Sequence, residues 1–359
     1  MKLRPIIPWV LLCTACGAPT EELAPPGAEF GADSLPQDAI FGAALDLEGD
    51  LLAVVAEAPL LQPAPDEWTG AVLFYRRDGD VWRLEDQQAV PASWLIEPAV
   101  HIVGGRVMVV SPTDGRCLDP RGVPRAQSGS VYVYEGGPGG WALTAHVCAP
   151  DPQTGFGWAS VVADGALIVE STLQYGRLPG VLARVLGDGG AWHAEPVADV
   201  AWAALASGVA AADDRRLVRV EQWGEAWSME VRALDDLQEV ERRLPCPDGQ
   251  GRCLPALSAS GVLVGMGPTL VHARDDGATD TFELVGAGLL RQLTAEGDLA
   301  VALSEGRLYT VRLDDTPGPV APAVTPCPDG VTSVALTTSA LVLTCAREHR
   351  GWVLPLPGD

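Results

Sequence analysis

An internal repeat constrains the fold of this chain more than any other feature. The segment FGAALDLEGDLLAVVAEAP, residues 41–59, has two β-rich runs separated by a Gly-Asp turn, and FGWASVVADGALIVES, residues 156–171, repeats that order. Two further short runs with Gly-containing turns follow each segment, as in consecutive β-hairpins. Seven such units can be followed along the chain. Units of this size bury their faces by radial packing, so the repeat predicts an all-β fold: a β-propeller with seven blades of four-stranded antiparallel sheets.

Aromatic residues recur at one place in the repeat. Trp82, Trp141 and Trp192 each follow a Gly-rich turn, and Trp227 and Phe282 take the corresponding place in the next two units. We expect the tryptophans to start equivalent outer strands and to pack between neighbouring sheets rather than to form a ligand cage. The last unit ends at its third run, GWVLPLP, and a segment near Phe30 is expected to supply the fourth strand.

The residues that carry the repeat resemble a known family. Phe41-Gly42 and Phe156-Gly157 at the start of a strand, the Gly-Asp or Asp-Gly turn, and the runs GAVLFYRR and GSVYVYEG leading to Trp resemble the FG-GAP repeats of integrin-type propellers and many bacterial surface proteins. The resemblance covers residues 40–196 best. It implies a seven-bladed propeller whose ligands bind to loops at one face. The glycine after each Phe is expected to permit a close approach near the axis.

The calcium loop of many FG-GAP members is missing. Asp46, Glu48 and Asp50 alternate in the first unit, but Leu51 stands where a calcium loop normally has glycine. These acids are expected to lie in a solvated turn, and no metal or cofactor is predicted.

The N-terminus has the features of an export signal. A basic start is followed by an apolar stretch at residues 6–12 that is too short to span a bilayer. Thr14, Ala15 and Cys16 resemble the end of a bacterial lipobox, although Cys13 stands where leucine is usual. The sequence predicts a signal peptide at 1–15, lipid attachment at Cys16, a flexible tether at 16–38 and the propeller at 39–359.

Six cysteines remain beyond the leader, and an even number in an exported chain predicts disulfides. Proximity in the sequence favours three pairings among the 15 that are possible for six cysteines. These are Cys117 with Cys148, Cys246 with Cys253, and Cys327 with Cys345.

The composition excludes several functions. The formal net charge is -23, so nucleic acid is not an expected partner. Lys2 is the single lysine and lies in the leader, which excludes Schiff-base, Ser-x-x-Lys and phosphate-loop chemistry from the mature chain. The acidic charge serves solubility or the binding of cationic partners; the sequence leaves both open.

Acids recur at the end of the second run of each unit. If these runs are equivalent strands, the acids form a discontinuous ring on one face that attracts cationic or polyhydroxylated partners; alternatively, they are acids in solvated loops. The residues are Glu57, Asp114, Glu170, Asp213, Asp214, Glu305 and Glu348.

Catalytic motifs are few. The chain has no His-Glu-x-x-His and no Gly-x-Ser-x-Gly, and Glu57 with Glu170 is the one carboxylate pair considered for glycoside cleavage. The sequence therefore favours a non-enzymatic binding or scaffolding lipoprotein of the bacterial cell envelope, at the outer membrane, with an unknown protein or glycan as partner. The alternatives are an exported hydrolase or lyase acting on carbohydrate, and a periplasmic module resembling outer-membrane assembly lipoproteins.

Overall fold

The computed structural model shows a chain built of β-strands. It describes residues 28–58, 69–92, 95, 97–118, 122, 128–149, 156–171, 180–188, 191–200, 208–213, 215–223, 226–235, 239–246, 253–345 and 347–356. The predicted signal peptide, Cys16, Asp214 and most of the predicted tether lie outside these residues. Within them, no helix is long and apolar enough to cross a membrane.

The first strand and the first four blades occupy the chain up to residue 245. The strand before blade 1 is β1 (Ala28–Gly31). Blade 1 contains β2 (Ile40–Glu48), β3 (Leu51–Glu57), β4 (Gly70–Asp78) and β5 (Val81–Ala89). Blade 2 contains β6 (Ala99–Val103), β7 (Arg106–Ser111), β8 (Ser130–Gly137) and β9 (Gly140–Cys148). Blade 3 contains β10 (Phe156–Ala163), β11 (Ala166–Ser171), β12 (Gly180–Asp188) and β13 (Ala191–Val200). Blade 4 contains β14 (Gly208–Ala212), β15 (Arg216–Trp223), β16 (Ala226–Ala233) and β17 (Val240–Pro245).

The remaining strands form the last three blades. Blade 5 contains β18 (Leu254–Ser258), β19 (Gly261–Met266), β20 (Thr269–Arg274) and β21 (Thr279–Leu284). Blade 6 contains β22 (Leu290–Glu296), β23 (Leu299–Ser304) and β24 (Arg307–Arg312), and β25 (Pro319–Val320) follows. Blade 7 contains β26 (Val331–Leu336), β27 (Ala340–Cys345) and β28 (Arg350–Pro355).

The seven blades form a closed ring. The first strands of successive blades contact one another in the order β2, β6, β10, β14, β18, β22 and β26, and β26 contacts β2 again. Each second strand is covered by the neighbouring blades, which explains the continuous apolar runs: Leu51–Ala56 of β3 and all of β27 are buried. The predicted seven-bladed propeller is confirmed.

Polar side chains on the first strands bridge neighbouring blades. Oδ2 of Asp46 accepts a hydrogen bond of 2.7 Å from the Ile102 amide of blade 2, and Glu48 accepts one from the Gly105 amide. His101 bonds to Ser160 Oγ of blade 3 at 2.8 Å. Burial raises the pKa of Asp46 to about 6 and lowers the pKa of His101 to about 4. Asp46 and Glu48 therefore hold blade 1 against blade 2.

The N-terminal strand closes the ring. β1 pairs antiparallel with β28 and is the fourth strand of blade 7, as predicted for the segment near Phe30. Phe30 is buried, and its ring lies edge-on to that of Tyr75 in blade 1 at 5.2 Å between centroids. The Tyr75 hydroxyl donates to the Gly31 carbonyl. Within the described residues, β1 is therefore the first strand of the propeller, and it lies before the predicted boundary at residue 39.

The two Phe-Gly pairs occupy equivalent places. Gly42 has φ +75°, and a Cβ there would lie 2.2 Å from Oγ1 of Thr344 in blade 7. Gly157 has φ +104°, and a Cβ there would lie 2.6 Å from Cγ1 of Val110 in blade 2. Each glycine thus allows the first strand of one blade to approach the preceding blade closely. The close approach predicted at the glycine of each Phe-Gly pair is confirmed.

Tryptophans pack between blades, as predicted. Trp141 is buried and stacks on Phe74 of blade 1 with 4.3 Å between ring centroids. Trp82 is also buried, and Trp192 is half-buried with the Arg106 guanidinium of blade 2 at 5.4 Å from its ring centroid. Each lies near the start of the outer strand of its blade.

Blade 4 corrects the predicted phase of the repeat. The sequence predicts that Asp213 and Asp214 end the second strand of their unit, but the strand before them, Gly208–Ala212, is the innermost one, because β14 contacts β10 and β18 of the neighbouring blades. The positions predicted for the later strands of this blade are therefore also one strand too far along. Trp227 consequently lies in the third strand and not in the fourth.

Blade 6 departs from four strands in detail. Its sheet has three strands in the described residues, and β25 pairs in parallel with β21 of blade 5. The Val285 amide donates to the Val320 carbonyl at 2.8 Å and continues this pairing. The segment after β24 therefore fastens blade 6 to blade 5.

Candidate functional site

The two faces of the ring differ in their connections. We call the face where the second strands end the upper face; the turns between first and second strands, and between third and fourth strands, form the lower face. Short turns such as 49–50, 79–80 and 104–105 lie at the lower face. The longer connections 58–69, 112–129 and 172–179 of blades 1–3 start and end at the upper face. Long connections carry most binding surfaces on rigid scaffolds, so the upper face is the candidate site.

All three disulfides lie at the upper face. Cys117–Cys148 joins the 112–129 connection to the end of β9, with the Cα atoms 5.6 Å apart. Cys246–Cys253 joins the end of blade 4 to the start of blade 5, and Cys327–Cys345 joins the segment before β26 to the end of β27. The three predicted pairings are confirmed. They fasten connections of this face to the ends of strands.

The predicted acids divide between the two faces. Glu57, Asp114, Glu170, Glu305 and Glu348 lie at the upper ends of second strands or just beyond them. Asp213 follows β14, the first strand of its blade, and therefore lies at the lower face. There it forms an ion pair with Arg216, which also pairs with Asp275 of blade 5. The prediction that Asp213 belongs to the ring was wrong, and Asp214 lies outside the described residues.

Asp114 is buried beneath the upper face of blade 2. Its Oδ2 accepts hydrogen bonds from Ser130 Oγ at 2.6 Å and from the Tyr132 hydroxyl at 2.5 Å. Nε2 of His146 lies 3.4 Å from the same oxygen, and the imidazole stacks on the Tyr132 ring with 4.7 Å between centroids. This carboxylate organises the 112–129 connection from below and is not available to a partner at the surface.

Glu170 is also buried and used internally. Its Oε1 lies 3.2 Å from the Arg219 guanidinium of blade 4, and both side chains are almost completely inaccessible to solvent. The pair joins the second strands of blades 3 and 4. A substrate at the surface cannot reach this carboxylate, so the structure does not support Glu57 and Glu170 as a pair for glycoside cleavage.

The accessible acids lie on consecutive blades. Glu305 of blade 6 is exposed, and Glu348 of blade 7 and Glu57 of blade 1 are half-buried. Burial and the nearby Glu97 raise the pKa of Glu57 to about 7. Among the described residues, no hydrogen-bond partner is found for Oε2 of Glu57. The ring of acids is thus reduced at the surface to an arc over blades 6, 7 and 1.

Several residues of this face were not predicted. Ser130 and Tyr132 are two residues apart on β8 and therefore point to the same side of the sheet, a signal the sequence contained. His146, Glu97 and Arg219 carry no such local signal, because each meets its partner from a different strand or connection.

Comparisons with known proteins support the fold. The WD40 domain of Neurospora crassa Pan2 is similar over 93% of this chain and 96% of its own length, with a TM-score of 0.55 and 8% sequence identity. A chain in the structure of a Mitotic Checkpoint Complex is similar over 100% of both chains, with a TM-score of 0.54 and 11% identity. At these identities the likeness shows the propeller fold alone. No protein-family model and no curated protein matches the chain.

The shifted pKa of Glu57 predicts a pH dependence of stability. The folded chain holds the proton up to about pH 7, whereas an ordinary Glu loses it near 4.5. The unfolded chain therefore binds fewer protons in this window, and the contribution of Glu57 to the free energy of unfolding falls as pH rises from about 4.5 to about 7. Glu57→Gln should remove this contribution. The midpoint of thermal unfolding of the variant should therefore rise relative to that of wild type as pH increases through the window.

The matched control is Glu305→Gln, which changes an exposed acid on the same face. It should keep the pH profile of the wild-type midpoint. Parallel profiles for Glu57→Gln and wild type between pH 4 and 8 would contradict the assignment.

Proposed function

We propose that this protein is an exported, lipid-anchored propeller that binds a partner through its upper face at the bacterial cell envelope. The observation that carries this proposal is the asymmetry of the ring. The longer connections of blades 1–3 and the three disulfides all belong to the upper face, whereas the described lower face consists of short turns. A rigid ring with one elaborated face suits a binding or scaffolding module.

The proposed location rests on the leader and the cysteine chemistry together. Cys16 follows a short apolar segment and two small residues, which is the arrangement that bacterial lipidation uses, and the disulfides suit an oxidising compartment. The outer membrane is the proposed membrane. The equivalent placement of Phe41-Gly42 and Phe156-Gly157 supports membership of the FG-GAP type of propeller.

The proposed partner is a protein or glycan with cationic or hydroxyl-rich groups. Glu305, Glu348 and Glu57 follow one another around the upper face on blades 6, 7 and 1, and the whole chain has a formal net charge of -23. Above about pH 7, where Glu57 is ionised, like charges along this arc reinforce each other and attract a cationic surface. This binding needs neither a cofactor nor nucleic acid.

Replacing Cys16 tests the anchor. Full-length wild type should sediment with membranes and show a lipid-sized mass increment, and Cys16→Ala should lose both because the thiol at the predicted position of acylation is removed. Intact-mass spectrometry and membrane fractionation provide the measurement. An unlipidated, soluble wild type would contradict the envelope proposal. If the anchored form is found, protease treatment of intact cells separates surface from periplasmic placement.

A matched pair of triple variants tests the binding face. Glu57, Glu305 and Glu348 are changed to Gln in one variant, and the lower-face residues Asp50, Asp80 and Asp298, all exposed, are changed to Asn in the other. Binding of an oligolysine peptide and of soluble peptidoglycan fragments is measured by calorimetry at low salt and at a pH well above 7, where Glu57 is ionised. For either probe that binds wild type, the upper-face variant should bind about tenfold more weakly, since each exposed pair contributes about 0.2–1 kcal/mol.

The lower-face variant carries the same change in net charge and should bind as wild type does. An equal loss in both variants would show that binding depends on overall charge, and it would overturn the upper face as the site. Failure of both probes to bind wild type would overturn the proposed partner chemistry.

A further inference from the structure

The cluster beneath the 112–129 connection contains four side chains with donor atoms suited to a metal ion. Cys117 and Cys148 are joined as a disulfide, and Nε2 of His146 lies 3.9 Å from the Cys117 sulfur and 3.4 Å from Oδ2 of Asp114. One donor atom from each of Cys117, His146 and Cys148 lies within 4.8 Å of the others, and Asp114 is not part of this group. We propose that Cys117, His146 and Cys148 bind Zn²⁺ when the disulfide is reduced, with a water molecule as the fourth ligand and Asp114 beside the imidazole.

The distance between imidazole and sulfur fits a tetrahedral zinc ion. With Zn–N near 2.0–2.1 Å and Zn–S near 2.3 Å, tetrahedral N and S ligands lie about 3.6 Å apart. The observed separation of His146 Nε2 from the Cys117 sulfur is 3.9 Å. Two zinc-bound sulfurs lie about 3.8 Å apart, whereas a disulfide holds them at about 2 Å. Reduction removes that restraint, so the disulfide and the metal are alternative states of one cluster.

Neighbouring groups support the proposed ligands. Asp114 accepts hydrogen bonds from Ser130 and Tyr132, which fix the orientation of its carboxylate, and Tyr132 also stacks on the His146 ring. Hydrogen bonds of this kind orient metal ligands and raise affinity. Asp114 is fully buried, while 31% of the His146 side chain is exposed. An ion therefore has a route to the cluster from the side of the imidazole.

Reduction of the Cys117–Cys148 disulfide needs a two-electron donor, and a dithiol can supply it. A dithiol supplies two electrons and two protons to the Cys117–Cys148 bond, becomes a disulfide itself and leaves two thiols. Binding of Zn²⁺ then displaces the two thiol protons, and the ion is held by two thiolates, the neutral imidazole and a water molecule. A Cys₂-His set favours zinc over the hard ions Ca²⁺ and Mg²⁺, which prefer oxygen ligands.

The site would hold the 112–129 connection in the reduced chain. In the oxidised protein, the disulfide joins this connection to the end of β9. In the reduced protein, the ion makes the same link through the same two residues, with His146 added. The described part of the connection at Cys117 is therefore held to the end of β9 in both redox states. This inference does not depend on the identity of the partner in the proposed function.

The experiment compares the two redox states of purified protein. One sample is kept oxidised, and the other is reduced with a phosphine, which forms the phosphine oxide with one oxygen from water and does not leave a competing thiol. Zn²⁺ is then titrated against a chromophoric chelator, and Co²⁺ is used as a spectroscopic probe. The reduced protein should bind one equivalent of Zn²⁺ at the cluster and show thiolate charge-transfer and tetrahedral Co²⁺ bands, and the oxidised protein should show neither.

Variants assign the signal to the cluster. His146→Gln removes a ligand and should weaken binding by at least about 100-fold, while Tyr132→Phe removes only a supporting hydrogen bond and should weaken it by about tenfold. The matched control replaces Cys246, Cys253, Cys327 and Cys345 by Ser, and it should retain one equivalent of Zn²⁺ and the Co²⁺ bands. Circular dichroism identifies any variant that fails to fold.

Two results would overturn the proposal. One is a reduced, folded wild type that does not take up Zn²⁺ in stoichiometric amount. The other is uptake that survives His146→Gln but is lost when the other four cysteines are replaced. Neither result bears on Cys16 lipidation or on binding of a partner to the upper face, so the proposed function is tested separately.

Discussion

The junction between the first and the last blade is the contact on which the whole ring depends. Here β1, the first described strand, completes the sheet of blade 7, and Phe30 from this strand packs against Phe41 and Tyr75 of blade 1. Gly42 lies directly against Thr344 at the same junction. A propeller held open at one junction exposes the faces of two blades and the backbone edge of β28. The packing of aromatic rings and the pairing of backbone groups both close this junction.

The ring also determines what the acidic residues do. Asp46 and Glu48 bind amides of the neighbouring blade, Asp114 organises a connection, and Glu170 pairs with a buried arginine. Buried carboxylates persist when hydrogen bonds or ion pairs compensate for lost hydration. The large negative charge of the chain is therefore only partly a property of its surface. The accessible acids of the predicted ring are restricted to one arc of the upper face.

Much of the architecture was predictable because the repeat is local. Strand period, Gly-containing turns and Trp spacing predicted the propeller, and the incomplete last unit predicted the closing role of the segment near Phe30. Proximity alone predicted the three disulfides. The prediction for blade 4 was wrong because the sequence of residues 201–207, AWAALAS, has the pattern of a first strand. VAAADD was therefore predicted to be the second strand, whereas Gly208–Ala212 is the first, and Asp213 lies at the opposite face. The parallel pairing of β25 could not be predicted, since two residues carry too little periodicity.

The candidate site was less predictable than the fold for a related reason. The acids at strand ends were visible in the sequence, but their burial depends on residues far along the chain. Arg219 meets Glu170 from the next blade, and His146 meets Asp114 from the outer strand of the same sheet. Such encounters are set by strand pairing and by the packing of neighbouring blades, and not by local spacing. The proposed metal ligands of blade 2 are hidden in the same way, because they are spread over residues 117–148.

The most direct test of ring closure compares Gly42→Ala with Gly49→Ala by reversible denaturant unfolding. Both glycines have positive φ, but a Cβ at Gly49 meets no atom within 4 Å, whereas one at Gly42 meets the side chain of Thr344 in the last blade. Gly49→Ala should lower the free energy of unfolding by about 1–2 kcal/mol from backbone conformation alone. If the junction is as close as described, Gly42→Ala should cost clearly more. Equal losses in the two variants would contradict a closed contact between the first and the last blade.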